Sequence, residues 1–168
     1  MSTIKVKTMF VELIKDDFHI FDKECKKWIR FFNLYEWKII ITFEKIEENF
    51  ECFADTITDY ENQYALVRLN KEWPEEEFSE YNIRRAAFHE ICEVLLSCPM
   101  MIAQSSIKKR NYLQESVINS ERHKIIRKLE YCIFHRTYRK RKITNRKNND
   151  KKPIGFINPK QEGSKENV

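Results

Sequence analysis

Glycine and proline are scarce in this chain, at 2 and 4 of 168 residues. So few turn formers exclude an architecture built on many tight turns and suit long helices joined by modest loops. The five cysteines (Cys25, Cys52, Cys92, Cys98, Cys132) are odd in number and include no C-x-x-C pair. That spacing argues against a disulfide framework and a zinc–thiolate site, and for reduced, buried thiols. No apolar run approaches membrane-spanning length, and the first residues lack the apolar core of a signal peptide. The expectation is therefore no membrane partner and a cytoplasmic, host-cell location. No internal repeat is visible. What is present is enough apolar material for a core, with 42% hydrophobic and 13% aromatic residues, in a chain of single-domain length.

Charge divides the chain in two. Between Arg136 and Lys152 nine basic residues stand against Asp150 alone, and residues 153–168 are balanced. That segment carries +8 of a whole-chain net charge of +5, leaving residues 1–135 at −3. The expected organisation is one domain over 1–135 and a basic, flexible tail over 136–168. Arg136, Arg139, Lys140, Arg141, Lys142, Arg146 and Lys147 form a cluster that would attract phosphate without sequence preference. Tyr138 would stack on a base. A nucleic acid, an acidic partner protein, or only solvent are the occupants such a run allows.

Apolar spacing marks the elements. Phe18, Phe21, Cys25, Trp28, Ile29 and Phe32 predict an amphipathic helix from about Asp16 to Asn33, capped by Asp16 or Asp17. Three extended segments follow: Trp37 to Phe43, Phe50 to Thr58 and Tyr64 to Leu69. Glu47-Glu48-Asn49 and Asp59-Tyr60-Glu61-Asn62 have hairpin length, which predicts a small antiparallel sheet of about three strands. Ser79 or Asn82 would cap a second helix ending at Cys98-Pro99, and a last long helix is expected from Leu113 to Tyr138. The fold class is α+β.

The second helix contains Phe88-His89-Glu90-Ile91-Cys92-Glu93. In an H-E-x-x-H helix, two histidines one turn apart hold zinc while the glutamate serves as base. Here His89 and Glu90 are in place and Glu93 stands where the second histidine would be. At 100° per residue, His89 and Glu93 lie about 40° apart, opposite the stripe of Ala87, Phe88, Ile91, Val94 and Leu95. On the last helix, Ile118, Ile125, Leu129 and Cys132 line up as a buried stripe with Glu121 inside it. A carboxylate on an apolar face requires an ion pair or a metal, so Glu121 is the better third ligand and His123, on the polar face, the poorer. Arg84 or Arg85 would be the ion-pair alternative. His19 and His135 have no motif around them.

The H-E-x-x block, together with Ser120-Glu121-Arg122-His123-Lys124-Ile125-Ile126-Arg127-Lys128-Leu129-Glu130, resembles the small zincin-like metallopeptidases encoded by bacteriophages and prophages. The resemblance runs from about Trp37 to Glu130 and implies a zincin fold. It also implies metal ligands at His89, position 93 and Glu121, with Glu90 as the general base of amide hydrolysis on a protein or peptide substrate. A His89–Glu93–Glu121 set can hold zinc but is harder than two imidazoles and a carboxylate, and leans toward manganese or iron. Two further readings stand beside it. One is a metal-free, inactive interaction or structural protein, of a host cell or virion. The other is binding of nucleic acid or a phage assembly partner through the tail.

Overall fold

The computed structural model describes residues 9–46, 52–106 and 112–138. Among these, the chain is α+β. Strand β1 (Phe10–Glu12) leads into helix α1 (Lys15–Phe31), then β2 (Lys38–Glu44), β3 (Ala54–Asp59), β4 (Tyr64–Asn70) and β5 (Glu72–Pro74). Helix α2 (Glu80–Ser105) and helix α3 (Tyr112–Leu129) follow, and α3 runs into a π-helical turn (Glu130–Phe134).

Helix α1 begins one residue before the expected Asp16, with Ile14 at the N-cap and both aspartates inside the first turn. The Asp17 carboxylate accepts a hydrogen bond from the Ile14 N–H at 2.9 Å, which satisfies a donor that the first turn leaves open. Its buried stripe is Phe21, Cys25 and Trp28, all at 0–1% exposure. Trp28 meets Phe88 of α2 edge-to-face at 4.7 Å, and Phe134 of the π turn lies 5.5 Å from Phe88. Truncating one such aromatic in a closed core costs about 3–5 kcal/mol.

The sheet departs from the antiparallel expectation. Its order is β2-β4-β3: β3 and β4 form the expected hairpin, but β2 lies parallel to β4 on the other side. The expected pairing of the first two strands does not form, and most of their connection, residues 47–51, lies outside the described residues. The reason is burial. Ala65, Val67 and Leu69 of β4 are fully buried, so β4 takes the centre, and the strands with more exposed residues take the edges. In the β3–β4 turn, Asp59 accepts hydrogen bonds from both the backbone and side chain of Asn62. The short β1 and β5 make a separate antiparallel pair.

Ser79 caps α2, accepting from the Asn82 N–H at 3.1 Å. The helix does not stop at Cys98-Pro99 but continues to Ser105 with Pro99 inside it. Proline removes one N–H from the ladder without forbidding continuation. By length and composition α2 could cross a membrane, contrary to the expectation that no run approaches this. It is nevertheless the core helix, packed on α1 and β3 and burying Glu90 and Glu93. The free cysteines also split: Cys25 and Cys92 are buried and Cys52 half-buried, while Cys98 and Cys132 are exposed.

The last helix buries a different face from the expected one. Ile125 and Cys132 are exposed, and Ile118 and Leu129 are only half-buried, the latter packed against the core; the buried positions are Ile126, Glu130 and Phe134, so the buried face is rotated from the expected one. Helical backbone continues through Tyr138, three residues beyond the expected domain limit. Tyr138 is half-buried. It packs on Phe134 at 4.7 Å, and Lys27 Nζ donates to its hydroxyl at 3.1 Å.

Candidate metal centre

Successive turns of α2 present His89 and Glu93 toward α3, and α3 answers with Arg122 and His123. His89 Nε2 lies 3.7 Å from Glu93 Oε1, and His123 Nδ1 approaches the same oxygen at 3.7 Å. One donor atom from each of the three residues falls within 4.8 Å of the others. The two imidazole rings meet edge-on with centroids 5.8 Å apart. His123 Nδ1 is buried without a hydrogen-bond partner. The second carboxylate oxygen of Glu93 faces Arg122 Nε at 3.0 Å, and that nitrogen is out of hydrogen-bonding alignment. Arg122 therefore supplies charge rather than a directed bond, and among the described residues Glu93 Oε1 faces the imidazole nitrogens of His89 and His123.

The other nitrogen of His89 has its own partner. Nδ1 sits 3.1 Å from Oε1 of Glu130, a carboxylate that is 3% exposed. Arg85 holds the opposite oxygen of Glu130 through Nε at 3.1 Å and Nη2 at 3.0 Å. Burial opposes charge on His89, but the Glu130 hydrogen bond and the Glu90, Glu130 and Glu93 carboxylates raise its pKa above the ordinary value. Burial also lowers His123, with His89, Arg122 and Arg127 acting the same way against Glu93.

Glu90 turns toward the sheet. Thr56 of β3 donates to Glu90 Oε2 at 2.8 Å. Burial pushes the Glu90 carboxyl up to about 7, opposed by His89 and by the Thr56 hydrogen bond. A cavity of about 360 Å³ opens beside it, lined by Phe53, Ala54, Arg85, Ala86, His89 and Glu90 among others. The segment leading into the edge strand β3, helix α2 and Glu130 contribute to its walls.

A metal fit can be tested on these distances. Around a tetrahedral zinc with bonds of about 2.0–2.1 Å, donor atoms stand roughly 3.3 Å apart. The two 3.7 Å separations exceed that by a few tenths of an ångström, and the His89–His123 pair lies within 4.8 Å, so closing on an ion requires side-chain rotation. Two imidazoles and one carboxylate also match the donor types of a catalytic zinc site. The residues fit a divalent ion.

Of the residues singled out in the sequence, His89, Glu90 and Glu93 share this region and Glu121 does not. Glu121 is exposed and pairs with Lys124 at 2.6 Å; neither Arg84 nor Arg85 reaches it. The placement of His123 on the polar face is overturned with it, because rotation of the helix turns that face toward α2. Glu130, Arg85, Arg122 and Thr56 were missed as parts of the site. Glu130 lies 40° from Ile126 on a helical wheel, and this was the one signal available for it. In the basic cluster, Arg136 is exposed, two residues before the end of the described helix, and Arg139, Lys140, Arg141, Lys142, Arg146 and Lys147 lie outside the described residues.

Compared with family models, with curated proteins and with solved structures, the chain gives no match in any of the three.

Proposed function

We propose that this chain is a zincin-like, metal-dependent hydrolase of amide bonds, with His89, Glu93 and His123 as the metal ligands and Glu90 as the base. The observation that carries this reading is the convergence of His89 Nε2, Glu93 Oε1 and the unpartnered, buried His123 Nδ1. Relative to H-E-x-x-H with a later glutamate, the donor types are retained and their positions exchanged. The carboxylate stands on the motif helix and the second imidazole comes from α3. This donor set suits zinc better than the two-carboxylate set expected with Glu121, which favours harder ions.

When bound, a divalent ion there would polarise a carbonyl and bring the pKa of water to about 7. The protein's own groups supply the rest. Thr56 holds Oε2 of Glu90, and Oε1 has no hydrogen-bond partner among the described residues. That oxygen is the one to accept a proton and return it to a leaving amine. The adjacent cavity supplies room for a substrate side chain between β3 and α2. Iron also takes two histidines and a carboxylate; Glu90, next to His89 and buried at the cavity, favours hydrolysis. The resemblance to phage zincin-like metallopeptidases supports the same reading.

A specific observation favours a second reading. Arg122 brings a permanent positive charge to Glu93, as an ion would. On this view the cluster is metal-free, and the chain is an inactive interaction protein whose basic tail contacts nucleic acid or an acidic partner. Metal content of tag-free protein by mass spectrometry, before and after zinc addition, separates the two. The hydrolase reading expects about one equivalent of metal, lost in His89→Ala and His123→Ala and kept in Glu121→Ala. In a peptidase assay, Glu90→Gln should abolish turnover with the metal retained. Wild-type protein that takes up no zinc, or loss of metal in Glu121→Ala, would overturn it.

A further inference from the structure

Glu130 is a buried carboxylate with no place among the proposed ligands. Its carboxylate bridges His89 Nδ1, at 3.1 Å from one oxygen, and Arg85, at 3.0 and 3.1 Å from the other. The backbone that presents it is a π-helical turn, Glu130–Phe134. Such turns are rare and need a cause.

The cause is geometric. Ile126, Glu130, Phe134 and Tyr138 recur every four residues, and all four face the core: the first three are buried and the last packs against it. In an uninterrupted α-helix, residues four apart drift by about 40°, so Tyr138 would stand roughly 120° away from Ile126. The wider π turn, with its i→i+5 bonds, absorbs that drift. It lets the helix seat Phe134 and Tyr138 against α1 and α2 while Glu130 still faces His89. Side chains on both sides of the turn are thereby satisfied at once.

From this arrangement we infer that Glu130, presented by the π turn and clamped by Arg85, is a positioning residue that fixes the tautomer and orientation of His89. A neutral imidazole carries one N–H. With Nδ1–H donated to Glu130, the lone pair is on Nε2, the nitrogen that faces Glu93 and His123. Ligating histidines are commonly held through their second nitrogen in this way, and loss of the partner weakens metal binding by about 10–100-fold. Arg85 matters because Glu130 would otherwise be a buried carboxylate with only a neutral ring as partner, an unfavourable state. The inference deepens the proposed metal-dependent reading and rests on it for the binding effect. The tautomer itself is a property of the metal-free protein.

The experiment has two arms. In the first, nitrogen-15 NMR of the metal-free wild-type protein reads the His89 tautomer at a pH where the ring is neutral. The expected result is the Nδ1–H form in wild type and in Glu130→Gln, whose amide oxygen still accepts, and a mixture dominated by Nε2–H in Glu130→Ala. In the second, zinc is titrated against a competing chelator. Glu130→Ala should bind about 10–100-fold more weakly than wild type, and Glu130→Gln should recover most of the loss. A wild-type Nε2–H tautomer, or one that does not respond to Glu130→Ala, overturns the inference whether or not zinc binds. Zinc affinity equal in wild type and Glu130→Ala also overturns it, and leaves the metal centre intact. Absence of zinc binding in wild type, with the tautomers as expected, supports the inference and instead overturns the proposed function. Circular dichroism and melting of each variant show whether the comparison is between folded proteins.

Discussion

Helix α2 carries two adjacent arginines that serve two different buried carboxylates. Arg84 reaches Glu24 of α1 at 3.0 Å, where Lys27 also pairs with the carboxylate at 2.5 Å. Arg85, about 100° further round the helix, reaches Glu130. In the first cluster the cations meet both oxygens of Glu24, and Lys27 lies over the Tyr138 ring. The second holds two carboxylates and two imidazoles, with its arginines at the margins and one buried ring nitrogen left unpartnered. Both clusters offset the cost of burying charge. Among the described residues only the second brings donor atoms of three residues within 4.8 Å of one another, and the proposed metal site rests on that difference.

The largest effect should come from breaking the first cluster. Glu24→Ala leaves Lys27 and Arg84, the latter still paired with Glu80, around a cavity, and losing the acid of such a cluster costs about 3 kcal/mol. Chemical denaturation should show that loss, while zinc uptake in the folded fraction stays at the wild-type level. Glu24 also has a pH signature. Burial acts to raise its carboxyl, yet hydrogen bonds from Lys27, Tyr138 and Arg84 hold it below the ordinary value. A depressed folded-state pKa stabilises the protein above the unfolded value and loses that contribution as pH falls through the folded one. Acid titration of stability should therefore have a shallower low-pH limb in Glu24→Gln than in wild type.

Next in size is the response of the second cluster to metal. Zinc at about 100 times its dissociation constant should add roughly 2.7 kcal/mol to stability by mass action. Thermal melting with and without zinc would show the increment in wild type and Glu121→Ala and its disappearance in His123→Ala. An unchanged increment in His123→Ala would remove the distinction drawn between the clusters. The smallest effect is assigned to Glu121 itself. It is exposed and pairs with the equally exposed Lys124, so Glu121→Ala should change stability by no more than about 0.5 kcal/mol.

Much of the frame was legible in the chain. The α1 stripe of Phe21, Cys25 and Trp28, the Ser79 cap, and the β3–β4 hairpin all follow from local periodicity and turn chemistry. His89, Glu90 and Glu93 were legible because one helical turn brings i and i+4 together regardless of what surrounds the helix. The parallel placement of β2 was not, since it depends on which strand buries most apolar surface at the centre. Nor was the third donor. Ile118, Ile125, Leu129 and Cys132 formed as good an apolar stripe on paper as Ile126, Phe134 and Tyr138 do in the fold.

By itself, then, the sequence determined the elements, the motif helix and the pair of side chains that helix presents. Those depend on backbone geometry within a few residues. Only the tertiary structure decided that His123 rather than Glu121 faces the pair, and that Glu130 stands behind His89. The rotation of α3 is set where Phe134 and Tyr138 lock into a core built by α1 and α2, and a π turn adjusts the register between that anchor and the site. A helix has no preferred face until something packs against it, and here the packing that chose the face lies more than one turn away from the residues it brings together.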